Sequence, residues 1–142
     1  MRARLSRSLE RLTIADYHPL LHTSADEVRL RCPGDHAWSV DLEGRSELER
    51  WLQSYVGIGL RIAVDEAVSS GFPWRRTIVI RGAADLATPA GDIAYANRFV
   101  LWARVAWRHC TDYEIYEDTQ RTAALDTYLM TRGRPVRRPP GR

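Results

Sequence analysis

At 142 residues the chain is long enough for one substantial core and too short for two, and its 44% apolar and 27% charged residues are ordinary for a globular domain. The net charge of +3 is local: the last twelve residues, TRGRPVRRPPGR, hold five Arg and no acid, and without them 16 basic residues face 18 acidic ones, a poor electrostatic footprint for nucleic acid. No apolar run approaches the roughly 18 residues of a membrane span, and the Arg-rich start lacks a signal peptide's apolar stretch, so a cytoplasmic protein with no membrane partner is expected.

Leu5, Leu9 and Leu12 recur at helical spacing, which predicts a first amphipathic helix over residues 3–13. Asp16 precedes Tyr17-His18-Pro19, and Pro is well tolerated in a first turn, so a short second helix should run to about His22. Val28 and Leu30 alternate with Arg29 and Arg31 in a brief strand that stops at Pro33-Gly34. His36 to Leu42 reads as extended. Gly44 ends it, and Ser46, three residues before Glu49, has the spacing of a capping box for a helix buried along Leu48, Trp51, Leu52 and Tyr55.

Past Gly57 and Gly59 the period changes to two. Leu60, Ile62, Val64 and Glu66 share one face of a strand, opposite Arg61, Ala63, Asp65 and Ala67. Gly71, Pro73 and Trp74 turn the chain into residues 76–87, with Ile78 and Ile80 on one face. Pro89 to Asp92 reverses it again. The fifth strand places Ile93, Tyr95, Asn97, Phe99, Leu101, Ala103 and Val105 on one side, with Arg98, Val100, Trp102 and Arg104 on the other. Both sides are partly apolar, so one should meet the helices and the other a partner subunit, as in a homodimer. In the sixth strand Thr111, Tyr113 and Ile115 face inward, and Asp118 or Thr119 caps a last helix carrying Leu125 and Leu129. A single domain over 1–130 followed by a disordered Arg/Pro-rich tail, 131–142, is the expected organisation.

Residue chemistry removes several mechanisms. All 21 basic residues are Arg, so Schiff-base chemistry and a lysine general base are excluded. Cys32 and Cys110 are too few and too far apart for a zinc signature, and are expected to be reduced, buried thiols. No metal and no cofactor is expected.

The order of elements, together with Cys32-Pro33-Gly34, Gly44-Arg45, Tyr95-x-Asn97-Arg98 and Tyr116-x-Asp118-Thr119, resembles the nuclear transport factor 2-like, or SnoaL-like, superfamily over about residues 4–130. The resemblance implies an α+β fold in which a cone-shaped, curled antiparallel sheet wraps around N-terminal helices, a cystatin-like α+β barrel with an apolar pocket. Relatives include cyclases, isomerases, dehydratases, epoxide hydrolases and non-catalytic binders, so fold alone does not settle function. The family's last-strand acid/base Asp falls at Ile115 here, and supporting polar positions fall at Phe99 and Leu101; an apolar side chain moves no proton. Arg81 and Asp85 lie four residues apart, where the epoxide hydrolases have an Arg-x-Asp pair, and read as a structural ion pair. The ketosteroid isomerase base position is Cys32. Among the histidines, His36 is placed near the pocket mouth, two residues from Trp38.

What remains is an aromatic wall of Trp38, Tyr95, Phe99, Tyr113 and Ile115, with Tyr17 at the helical rim, suited to a flat, mostly apolar ligand carrying a hydroxyl or carbonyl. His36 and Asn97 are the catalytic candidates: the amide, or a tyrosine, to polarise a carbonyl and the imidazole as base. The expectation is a cofactor-independent cyclase, isomerase or dehydratase acting on a polyketide-like or alicyclic metabolite. The alternatives are a non-catalytic ligand-binding module, or a dimeric interaction protein, of the same fold.

Overall fold

In the computed structural model, residues 1–36 and 38–131 are described. Helix α1 (Arg2–Glu10) continues into a 3-10 turn (Arg11–Ile14), followed by α2 (His18–Thr23), β1 (Ser24–Cys32), β2 (Val40–Glu43), α3 (Arg45–Val56), β3 (Arg61–Phe72), β4 (Arg75–Ala87), β5 (Ile93–Ala106), β6 (His109–Glu117) and α4 (Thr119–Thr131). The expected tail lies outside the described residues apart from Thr131. No described helix is long and apolar enough to cross a membrane.

The six strands form one curled sheet in the order β2-β1-β6-β5-β4-β3. Every neighbouring pair is antiparallel except β1 and β6, which run parallel with Leu30 beside Tyr113. The sheet keeps two edges, β2 and β3, so the expected barrel is an open cone. Its inner face is the apolar one. Ile78, Ile80, Leu101, Ala103, Val105 and Tyr113 meet Leu5 and Leu9 of α1, Leu20 of α2 and Leu48, Trp51 and Leu52 of α3 in one continuous core. The alternation of β5 leaves Trp102 at 42% exposure on the outer face while Leu101 and Ala103 are buried.

Three local expectations are corrected. Helix α3 starts at Arg45 with Gly44 as its N-cap at φ +99 and no side-chain cap, so Ser46 lies inside the first turn and the Ser46–Glu49 box does not form. Glu49 instead accepts from the Tyr17 hydroxyl at 3.4 Å, tying the start of α2 to α3. His36 and Trp38 sit in a turn, not in a strand: Pro33 lacks an amide hydrogen, Gly34 takes φ +126, and the Ser39 amide donates to the His36 carbonyl at 3.0 Å. A bulge between Val64 and Glu66 reverses the facing of the rest of β3. Beyond it Ala67 pairs with the buried Ile80 and packs on the core, while Glu66 points outward to Arg81.

Candidate functional site

Helices α1–α3 close over the inner face of the sheet but leave a cavity of about 60 Å³ between them. Aliphatic side chains such as Leu12, Leu20, Leu30, Leu52, Ile62 and Leu101 make much of its wall, so the space is dry in character. Of the expected wall, Trp38, Phe99, Tyr113 and Ile115 line it. One acidic side chain joins them, Glu117, the last residue of β6.

The Glu117 side chain is only 9% exposed. The Trp38 indole donates to its Oε1 at 2.9 Å, and Trp38 is held in turn by α3, where the Trp51 indole donates to the Trp38 carbonyl at 3.2 Å. Trp38 makes T-shaped contacts with His36, Tyr55 and Tyr95, at ring centroid distances of 5.2, 6.2 and 6.5 Å. Tyr55 stacks on Trp51 at 4.9 Å. Burial, followed by the negative charge of Glu117, holds the Tyr55 phenol well above its ordinary range, and the same two causes raise Tyr95. Both phenols therefore stay hydrogen-bond donors.

His36 is not at a mouth. It is 2% exposed, beneath the turn that follows β1. Its Nε2 lies 3.2 Å from the Pro33 carbonyl, to which it donates in the neutral ring, and 3.9 Å from Glu117 Oε1; Nδ1 is buried with no hydrogen-bond partner among the described residues. A Cβ on Gly34 would stand 2.7 Å from the His36 ring and 2.8 Å from the Thr119 methyl, so only glycine lets the turn close over the imidazole. Cys32, at the end of β1, is buried and unoxidised. Burial first, then Glu117, push its thiol far above the ordinary range. Ligating atoms of Cys32, His36 and Glu117 all lie within 4.8 Å of one another.

The remaining candidates stand apart from the cavity wall. Asn97 ties β5 to the start of α4: its Nδ2 donates to the Asp118 carbonyl at 2.9 Å and to Thr122 Oγ1 at 3.3 Å, and its Oδ1 accepts from the Arg98 amide at 2.9 Å. Tyr95 reaches the same threonine at 3.5 Å. Asp118 caps α4 by accepting from the Gln120 and Arg121 amides. Tyr17 bridges α2 and α3, accepting from Gln53 Nε2 at 3.1 Å as well as donating to Glu49. Arg81 pairs with Glu66, and Asp85 with Arg61, so the Arg81–Asp85 pair anticipated from their shared face does not form. Sequence reasoning passed over Glu117 and the nearness of Cys32 to His36. The Cys-x-x-x-His spacing was visible; the carboxylate that completes the group comes from a strand 85 positions away in sequence.

No protein-family model matches the chain. No curated protein matches it either. Solved structures do. An NTF2-like protein of unknown function from Burkholderia pseudomallei is 23% identical, with a TM-score of 0.69 over 85% of this chain and 95% of that one. TerC, co-crystallised with polyporic acid, is 19% identical, with a TM-score of 0.65 over 80% and 87%. A putative isomerase from Rhodopseudomonas palustris is 14% identical, with a TM-score of 0.63 over 93% and 96%. These likenesses establish a nuclear transport factor 2-like fold for this chain.

Proposed function

We propose that the protein binds a flat, mostly apolar metabolite bearing a carbonyl or hydroxyl, polyketide-like or alicyclic in class, and acts on it as an isomerase, cyclase or dehydratase. The observation that carries this reading is the single carboxylate, Glu117, facing a cavity whose other walls are apolar or phenolic. In such a setting a ligand's polar group has one place to go, because any other orientation would bury it without a partner. The Tyr55 phenol stands near the same carboxylate, ready to donate to a carbonyl oxygen. The solved neighbours support the reading, one by the ligand in its crystal and one by its description as an isomerase.

A cavity of about 60 Å³ has room for about four or five water-sized groups. A bicyclic ligand therefore enters only if the Trp51–Tyr55 stack on α3 yields. The test is displacement of an apolar fluorescent dye by a panel of enolisable ketones and hydroxylated alicycles, followed by turnover of those that bind. Glu117→Gln keeps the shape and should lower turnover by at least about 100-fold while dye binding persists. Failure of every compound to compete would sink the ligand reading.

A second reading is a non-catalytic binding module, favoured by Ile115 standing where relatives of the resembled family carry their acid/base Asp. Saturable binding with no turnover, unchanged in Glu117→Gln, would select it. The outer face of β5, with Trp102 exposed beside Val100 and Arg104, is proposed as a homodimer interface. Light scattering at micromolar concentration checks it, and a monomer rejects it.

A further inference from the structure

We propose that Cys32, His36 and Glu117 form a binding site for a divalent cation of the zinc class, at the polar end of the cavity. Three chemically different donors converge there, a thiol, an imidazole and a carboxylate, all within 4.8 Å of one another and brought together from β1, the following turn and β6. Among the described residues no other three His, Cys, Asp or Glu side chains gather in this way.

Two observations independent of that proximity point to a cation. The first is the imidazole. Its Nε2, 3.2 Å from the Pro33 carbonyl, is also 3.9 Å from Glu117 Oε1, and its Nδ1 is buried without a hydrogen-bond partner among the described residues, so the protein's own groups do not satisfy the ring. A buried imidazole left partly unsatisfied beside a thiol and a carboxylate is available to a cation, histidine being the commonest metal ligand. The second is the charge. Glu117 is nearly buried, yet among the described residues no arginine reaches it, and its strongest partner is an indole N–H. A carboxylate removed from water without a counter-charge is costly, and a cation supplies that charge.

The donor set selects the ion. One sulfur, one nitrogen and one oxygen suit zinc and its borderline neighbours, not magnesium or calcium, which take oxygen ligands. Bonds of about 2.0–2.3 Å place the donors of a tetrahedral site roughly 3.5 Å apart, so the present group need contract only by about an ångström. Three protein ligands leave a fourth position, and Glu117 and Trp38 both line the cavity, so that position opens toward it. The ligand's carbonyl or hydroxyl oxygen would fill it and be polarised there. Only this last step rests on the proposed function; cation binding itself needs no organic ligand.

The experiment titrates chelator-stripped, full-length protein with zinc alone by calorimetry, and with cobalt by absorption spectroscopy. One equivalent of zinc should bind saturably, and cobalt should show a thiolate charge-transfer band. Losing an outer-sphere partner weakens metal sites by about 10–100-fold, so Cys32→Ser and Glu117→Gln should each weaken zinc by at least about tenfold. The cobalt band should vanish in Cys32→Ser. Circular dichroism shows whether each variant is folded, and His36→Gln gives a third, independent removal of a ligand. Absence of saturable zinc binding in the wild-type protein overturns the proposal, as does affinity unchanged in folded Cys32→Ser. Dye displacement by the organic panel in chelator is read separately, so a failed metal site and a failed ligand pocket give different results.

Discussion

The two faces of the sheet handle charge in opposite ways. On the outer face acids meet arginines across strands: Arg31 with Glu114, Arg61 with Asp85, Arg81 with Glu66 and Arg98 with Asp65. Water screens these pairs, and each is worth little to stability. The inner face holds one carboxylate, Glu117, against an indole, an imidazole and a thiol. The difference teaches where to look for function: salt bridges are abundant where they matter least, and the informative charge is the buried one that no arginine reaches among the described residues.

Substitutions can break or sharpen that contrast. The largest effect should come from the inner face itself: Ile80 is fully buried, and Ile80→Ala should cost about 3 kcal/mol by chemical denaturation. Next is alkaline stability. Burial raises the Cys110 thiol from 9.0 to about 11, so its contribution is fully present below pH about 9 and is lost as pH rises toward about 11. Over that window its share of the loss should reach roughly 3 kcal/mol, and Cys110→Val, which removes this ionising group, should make the slope shallower while Cys32 keeps its own contribution. The sharpest comparison uses neighbours on β5. Asn97→Ala removes the inward ties to Asp118 and Thr122 and should cost about 1–2 kcal/mol. Arg98→Ala removes only an exposed pair and should cost less than about 0.5 kcal/mol, measured in the same way. Equal costs for the two would dissolve the distinction between the faces.

Periodicity carried most of the fold. The alternation of β5, the turn at Gly71–Trp74 and the Asp118 cap were all legible, because each is set by residues close in sequence. The bulge in β3 was not, since nothing in Val64-Asp65-Glu66 announces an unpaired residue; the mismatch arises only when β3 is laid against β4. The site was legible in part. Strand alternation and aromatic spacing pointed to Trp38, Phe99, Tyr113 and Ile115, and all four lie along the cavity. His36 was noticed for its chemistry but placed near the pocket mouth, because its burial depends on Gly34 letting a turn fold over it. Glu117 follows Tyr116, which is half exposed, and alternation alone marks it as inward; its importance came from what β1 brings beside it.

The parallel junction of β1 with β6 has a consequence for the order of events in the cell. β1 ends at Cys32, and its partner begins at His109. At translation rates of about 5–20 residues per second, β1 leaves the ribosome on the order of ten seconds before the strand that covers it. During that delay it can pair with β2 but presents a bare edge on its other side, a hazard that native sheets otherwise conceal. Glu117 is the last residue of the last strand, so the acidic end of the cavity is also the last to be built, and a nascent chain stalled before it holds apolar and phenolic walls without their carboxylate.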